Sequence, residues 1–142
     1  MKNKFCEMKF SIFIRLIILL SLFGCTKRDD VQLQVMLKGD YSGTFKRTNS
    51  ETGWMCSSSV TLLITDSTFT GTSDQPYFPA IGSGKFEKTG MELNFINEGV
   101  WPAHFDWSLI LSDKWQFEIT YNQLKIWKEN GNITDEYILD KI

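Results

Sequence analysis

The segment around the only histidine of the chain, Trp101-Pro-Ala-His104-Phe-Asp106-Trp-Ser108, also supplies a carboxylate and a hydroxyl at alternating positions. A carboxylate that orients an imidazole, which in turn activates a serine, is the arrangement of a nucleophilic hydrolase. On a strand, His104, Asp106 and Ser108 would share the outer face, with successive Cα atoms about 7 Å apart. Such a row has no cleft and no oxyanion donors. We therefore predict a solvated or locally hydrogen-bonded histidine and a protein that is not an enzyme.

Cys25 is a second candidate for chemistry, because it stands where an apolar run ends and a charged run begins. Basic residues precede the run Ser11–Phe23, which Arg15 interrupts and which is far shorter than the ~20 residues of a membrane-spanning helix. This pattern predicts a secretory signal peptide. The residues Leu22-Phe23-Gly24-Cys25 resemble the lipobox of bacterial lipoproteins, and the resemblance implies cleavage before Cys25 and its acylation. The alternative is a cleaved, secreted protein with an incidental cysteine.

The residues after Cys25 bear on location. Lys27, Asp29 and Asp30 resemble the basic-then-acidic signal that sends some Bacteroidetes lipoproteins to the outer face of the outer membrane. The alternative is a solvated tether that holds the domain away from the bilayer. We expect an outer-membrane protein held in the lipid bilayer through acylated Cys25, on either the periplasmic face or the cell surface.

Charge and cysteine content exclude several function classes. The chain has 15 basic and 17 acidic residues, and removal of residues 1–24 leaves 11 and 16, a net charge of −5. A surface of this sign disfavours a nucleic-acid partner and attachment through a polybasic patch. Since Cys6 leaves with the signal and Cys25 is acylated, Cys56 remains as a single, half-buried structural thiol. We therefore predict no disulfide, no metal site and no cofactor.

Aromatic residues in two loops are the best candidates for binding. Tyr77 and Phe78 lie between two prolines in Asp74-Gln-Pro-Tyr-Phe-Pro-Ala80, and Trp101 precedes Pro102. Rigid aromatic loops provide large contact area at small entropic cost, which suits a small hydrophobic ligand or a protein partner. The alternative, which we prefer on the sequence alone, is that these rings plug one end of the domain and exclude water from the core.

The elements that position these residues follow a period of two. Trp115, Phe117 and Ile119 alternate with polar residues, as do Val60, Leu62 and Ile64, and turn signals such as Asn130-Gly131 separate the runs. The pattern predicts nine strands, at 40–47, 59–65, 68–73, 82–88, 91–97, 105–111, 114–120, 123–128 and 134–141. Short antiparallel strands with tight turns predict an all-β, up-and-down meander that closes into a small barrel of eight or nine strands. A signal-peptide helix precedes it.

Three segments resemble the small lipocalin-like lipoproteins of Bacteroidetes: Gly39-Asp-Tyr-Ser-Gly-Thr-Phe45, Ile81-Gly-Ser-Gly-Lys-Phe86 and Trp101–Leu111. The resemblance covers residues 37–142 and implies the barrel and the anchor. It places Gly39 and Tyr41 where lipocalins have Gly-x-Trp, and Lys141 in the region of their partner arginine. The organisation that follows is a signal peptide over 1–24, a tether over 25–38 and the barrel domain over 39–142.

An eight-stranded barrel is just wide enough for side chains to fill it or for one small ligand. We predict a filled interior, made by Phe45, Leu62, Ile64, Phe69, Phe86, Leu93, Phe95, Phe105, Trp107, Leu109, Phe117, Ile119, Leu124, Ile126, Tyr137 and Leu139. The expected function is therefore a membrane-anchored binding or interaction module. The alternatives are a structural accessory subunit or an inhibitor of an outer-membrane or foreign protein and, ranked below both, a hydrolase that uses His104.

Overall fold

The computed structural model describes residues 36–142 of the chain. Cys25, the signal-peptide helix and most of the tether lie outside the described residues, so their assignments stay predictions. Within the described part, none of the helices is long and apolar enough to cross a membrane.

The described chain is an all-β barrel, as the period of two predicts. Its eight strands are β1 Gly39–Asn49, β2 Met55–Ile64, β3 Thr68–Ser73, β4 Gly82–Thr89, β5 Glu92–Asn97, β6 Asp113–Thr120, β7 Gln123–Asn130 and β8 Ile133–Lys141. Each strand pairs antiparallel with the next, and β1 pairs with β8 from Tyr41–Lys141 to Asn49–Ile133. This last ladder closes the sheet, so the meander has no free edge strand.

The interior of the barrel is filled with side chains. The largest fully buried ones include Phe45, Phe95, Phe117 and Tyr137, in agreement with the predicted core. Trp115, Val60, Ile81 and Leu111 join the same cluster, although the predicted interior did not include them. Phe45 and Tyr137 pack at 4.8 Å between ring centroids, and Phe69 and Phe95 at 5.1 Å. Close aromatic packing of this kind fills the interior and stabilises the barrel.

The prediction of a ninth strand at 105–111 is wrong. This segment instead contains a 3₁₀ helix, Trp107–Leu109, within the long connection between β5 and β6. The Asp106 carboxylate accepts hydrogen bonds from the backbone N–H and the hydroxyl of Ser108, which caps the helix and breaks the strand. Trp107, predicted to face inward, is 59% exposed. Phe105, Leu109 and Ile119 are only half-buried.

The two ends of the barrel differ in the length of their connections. One end, here called the loop end, gathers the connections 50–54, 74–81, 98–112 and 131–132. The other, the turn end, has only 65–67, 90–91 and 121–122, together with the chain entering at 36–38. A rigid scaffold usually presents its variable side chains on long connections of this kind.

The turn end is closed by the entering chain. Leu37 is fully buried against the core, and the Tyr41 hydroxyl donates a 2.8 Å hydrogen bond to its carbonyl oxygen. The Lys141 ammonium lies 5.8 Å from the centre of the Tyr41 ring, a cation–π contact between β8 and β1. Burial raises the pKa of Tyr41 to about 12. The entering chain therefore covers the core at the turn end, and the longer connections lie at the loop end.

Candidate functional site

Three aromatic rings meet at the loop end. Tyr77 lies with its ring centroid 6.2 Å from that of Trp101 and 5.5 Å from that of Phe105, and Trp101 stacks on Phe105 at 5.9 Å. The cluster joins the connection after β3 to the connection after β5. Tyr77 is 48% exposed, and Trp101 and Phe105 are half-buried. Of the predicted binding residues, Tyr77 and Trp101 are thus brought together, and Phe105 joins them.

Asn97, at the end of β5, holds Trp101 in place. Its Nδ2 donates to the carbonyls of Ile81 and Leu111, at 2.6 and 3.2 Å, and its Oδ1 accepts from the Trp101 indole N–H at 3.3 Å. Gly82 has a φ of 62°, and a Cβ there would lie 2.9 Å from the Trp101 ring. The ring therefore packs directly on backbone, which restricts it to one orientation.

Phe78 has a different role from its neighbour. Its ring packs edge-on against Phe45 of the core at 5.3 Å, and its carbonyl accepts a 2.6 Å hydrogen bond from the Ser73 hydroxyl. Tyr77 adopts a φ of 62°, a left-handed conformation that is rare for a tyrosine. Phe78 therefore anchors the loop while Tyr77 is turned outward.

The two long loops also bond to each other. The Ala80 N–H donates to the Leu109 carbonyl at 3.1 Å, and the Leu111 N–H donates to the Ala80 carbonyl at 3.0 Å, in an isolated parallel bridge. Ala80 is buried at this junction. The aromatic rings are therefore carried on loops with fixed backbone rather than on free segments.

Two more indole rings are exposed on connections of the loop end. Trp54 precedes β2 and Trp107 lies in the 3₁₀ helix, each at least half exposed, and Val100 between them in sequence is almost fully exposed. We call Trp54, Tyr77, Trp101, Phe105 and Trp107 the aromatic surface. Large exposed rings concentrated on one end of a small domain are typical of an interaction site.

A buried arginine supports this surface from inside the barrel. Arg47 of β1 is 7% exposed and binds Asp135 of β8 with two hydrogen bonds, from Nε at 2.5 Å and from Nη2 at 2.6 Å. Its Nη1 donates to Asp106 at 3.3 Å and to the Ser108 hydroxyl at 3.0 Å, and its Nη2 donates to the Ser108 carbonyl at 2.9 Å. One guanidinium thus connects two strands to the long β5–β6 loop.

The charges of this network shift its pKa values in opposite directions. Burial opposes the charge of Arg47, but the hydrogen bond and charge of Asp135, with the charge of Asp106, outweigh it and raise the arginine pKa. Hydrogen bonds from Ser108, with the Arg47 charge, lower the pKa of Asp106. Arg47 and Asp106 are therefore both charged across the neutral range.

Below the network, two hydroxyls are buried with no hydrogen-bond partner among the described residues, those of Ser58 and Tyr137. Burial, reinforced by the negative charge of Asp135, raises the pKa of Tyr137 well above its usual value. Ser58 and Tyr137 both oppose Phe45 in the register, one on each side of β1. These two hydroxyls thus lie level with Phe45 in the core, next to the Arg47 network.

The proposed row of His104, Asp106 and Ser108 on one strand face is not formed. Asp106 and Ser108 bond to each other and to Arg47, while His104 is exposed and makes no hydrogen bond or ion pair within residues 36–142. A base must reach its nucleophile at hydrogen-bonding distance. The segment is built to hold a loop in place, which agrees with the preferred interpretation of a solvated histidine.

Other candidate sites can be placed as well. Cys56 is half-buried, as expected, and pairs with Arg47 in the β1–β2 ladder. Within the described part of the chain, no three histidine, cysteine, aspartate or glutamate side chains converge as metal ligands. A groove of about 510 Å³ lies outside the barrel wall, lined by residues such as Thr61, Leu63 and Thr72.

The sequence analysis missed Arg47 and Asp135. The signal was present in the strand period: Arg47 continues the inward series of Tyr41 and Phe45, and Asp135 precedes inward Tyr137 and Leu139. A charged residue at an inward position of a strand predicts a buried partner of opposite sign. Comparison of the chain with protein-family models, with curated proteins and with solved structures found no match.

Proposed function

We propose that this protein is a lipid-anchored lipoprotein of the outer membrane, on its periplasmic face or at the cell surface, whose barrel is a binding module for an unidentified ligand or protein partner. The observation that carries the binding role is the aromatic surface at the loop end, where Tyr77, Trp101 and Phe105 contact one another and remain partly exposed. Packed, partly solvated aromatic rings on fixed loops are the usual anchors of protein interfaces.

The interior of the barrel offers less support for a bound ligand. Phe45, Phe95, Phe117 and Tyr137 are among the large side chains that fill it. If the loop-end rings only plugged the barrel, they would be buried and have little contact with water. Tyr77 and Trp107 are instead each about half exposed. These exposures favour binding on the outside of the loop end rather than inside the barrel.

The anchor rests on the residues Leu22-Phe23-Gly24-Cys25 and on the resemblance to small lipocalin-like lipoproteins. Tyr41 stands where lipocalins have a tryptophan, and Lys141, in the region of their partner arginine, lies 5.8 Å from the centre of its ring. Cys25→Ser removes the acylated thiol and should leave an uncleaved or soluble product. If the mutant is still labelled by a palmitate analogue and sediments with membranes as the parent does, the anchor is disproved.

The alternatives use the same surface in other ways. A structural accessory subunit or an inhibitor of an outer-membrane or foreign protein would also engage its partner through exposed rings. A hydrolase would instead need His104 within reach of a nucleophile, and Ser108 is bonded to Asp106 and Arg47. We therefore keep the accessory subunit and the inhibitor as forms of the binding role and do not propose the hydrolase.

The test is photocrosslinking in the producing cell. A photoreactive amino acid replaces Val100, which is 97% exposed at the loop end, or Tyr121, which is 94% exposed at the turn end. The proposal predicts a discrete adduct from position 100 that excess unlabelled protein removes, and none from position 121. Equal adducts from both positions, or none from position 100, would refute the binding role of the loop end.

A further inference from the structure

The connections of the loop end carry charge of one sign. Within 50–54, 74–81, 98–112 and 131–132 there are four acidic residues, Glu51, Asp74, Glu98 and Asp106, and no lysine or arginine. All four are exposed. At the turn end, by contrast, Lys38 and Asp66 pair at 3.1 Å. The four connections therefore carry carboxylates and no lysine or arginine of their own.

Lysines on the neighbouring strands pair with carboxylates of those strands, Lys114 with Glu92 at 3.9 Å and Lys128 with Asp113 at 3.4 Å. Arg47 faces two carboxylates, Asp106 and Asp135, so that group of three keeps one negative charge. The Glu51 carboxylate accepts from the Asn132 amide at 2.8 Å, and Asp74 accepts from the Ser59 backbone N–H at 3.0 Å, both neutral donors.

Glu98 has the exposed Lys85 of β4 at 3.4 Å, where solvent screens the pair. The loop end as a whole therefore presents a negative potential around its exposed rings.

Negative potential and aromatic faces select the same kind of partner. The face of an indole or phenol ring attracts lysine and arginine side chains, and a carboxylate beside it adds a charge-assisted hydrogen bond. The same surface repels anionic lipid and nucleic acid. Neutral sugars also stack on aromatic rings, but a border of carboxylates with no cation adds no attraction specific to them.

Resting on the binding role proposed above, we propose that the loop end docks a basic segment of a protein partner. Lysine or arginine side chains of that segment lie on the faces of Tyr77 and Trp107, which are 48% and 59% exposed, and the carboxylates of Glu51 and Asp74 receive their charge. Rim carboxylates of this kind also speed association by steering a cationic partner.

The experiment measures binding of a defined peptide to the full-length protein in a non-ionic detergent, followed by fluorescence anisotropy of a labelled peptide. The probe is a peptide of alternating arginine and glycine, and its control carries citrulline, a neutral analogue of the same shape, at each arginine. The account predicts that the arginine peptide binds at least about tenfold more tightly than the citrulline peptide, and less so as salt rises.

Two matched sets of amide substitutions test whether the charge of the loop end is responsible. The loop-end set is Glu51→Gln, Asp74→Asn and Glu98→Gln, and the control set, on the barrel wall, is Glu87→Gln, Glu118→Gln and Asp140→Asn. Each set removes three exposed carboxylates and keeps an oxygen acceptor at each position. The loop-end set should weaken binding of the arginine peptide about tenfold, and the control set less than about twofold.

Several results would overturn the inference. Equal binding of the arginine and citrulline peptides, equal effects of the two sets, no peptide binding, or preferential binding of a neutral oligosaccharide each exclude a basic docking segment. The binding role itself stands in these cases if position 100 still forms its specific adduct in cells. Loss of that adduct refutes the binding role and this inference together.

Discussion

At the scale of single residues, Arg47 is the side chain on which the loop end depends most. It is buried between Asp135 on β8 and the Asp106–Ser108 segment. A strand period alone cannot identify its partner, since Arg47 and Asp135 are 88 positions apart and meet only when β1 pairs with β8. The inward position was predictable, but the ion pair required the closed barrel.

Removal of this guanidinium should be costly. Arg47→Met leaves Asp135 buried without a partner and should lower the free energy of unfolding by about 3–5 kcal/mol. The measurement is urea unfolding followed by circular dichroism. Lys85→Met, which removes the exposed pair with Glu98, is the control and should cost less than about 1 kcal/mol.

Replacement of both charges by apolar residues, Arg47→Met with Asp135→Leu, should recover much of the loss because no unpaired charge stays buried. If the single variant Arg47→Met is as stable as the parent, the network is not a structural support of the loop end.

Two buried tyrosines should make the fold sensitive to alkali. Burial raises the pKa of Tyr41 to about 12 and that of Tyr137 well above its usual value. A group whose pKa is higher in the folded state contributes stability that is present below its unfolded pKa, near about 10, and is lost as pH rises through the folded pKa. The free energy of unfolding should therefore fall between about pH 10 and pH 12.

Urea unfolding at a series of alkaline pH values measures this fall. Tyr41→Phe cannot ionise and should show a shallower decline than the parent, although it is less stable near neutrality through loss of the hydrogen bond to Leu37. Parallel declines in the parent and in Tyr41→Phe would show that this tyrosine is not the source of the alkaline sensitivity.

At the scale of elements, strand and loop can look alike in the sequence. Phe105, Trp107 and Leu109 alternate with Asp106 and Ser108 just as residues of a strand do, and the prediction of a strand followed from that. The distinction came from Asp106, which is placed to cap a helical turn and is fixed by Arg47 from another element. Alternation predicted the eight true strands correctly because each of them has one face toward the core and one toward solvent.

The capping role of Asp106 makes a local prediction. Asp106→Ala removes the acceptor for the Ser108 N–H and one ion-pair partner of Arg47. Because Asp106 is exposed, the free energy of unfolding should fall by only about 1 kcal/mol. Hydrogen exchange should nevertheless speed up at the amides of Leu109 and Ile110, which close the 3₁₀ turn.

His104→Ala is the control for this experiment, because His104 makes no hydrogen bond or ion pair within residues 36–142 and its loss should alter neither exchange nor stability. Unchanged exchange in Asp106→Ala, or faster exchange in His104→Ala, would contradict the assigned roles.

At the scale of the whole molecule, the barrel was predictable and the arrangement of its ends was not. A period of two and short turns such as Asn130-Gly131 predict a meander, and eight short strands close because an open sheet would leave two free edges. The position of each ring at the loop end instead depends on contacts between distant loops, such as the Ala80–Ile110 bridge. Sequence reasoning therefore proposed Tyr77 and Trp101 as site residues but could not separate outward Tyr77 from inward Phe78.

The central claim is that the loop-end rings bind a partner rather than plug the barrel. The decisive measurement is the yield of the position-100 adduct per folded molecule in Tyr77→Ala with Trp101→Ala, taken together with the melting temperature. A binding surface predicts that the yield per folded molecule falls about tenfold, equivalent to the loss of more than about 1 kcal/mol of affinity, whatever the change in melting temperature. A lowered melting temperature with an unchanged yield per folded molecule would mean that the rings are plugs, and would contradict the account.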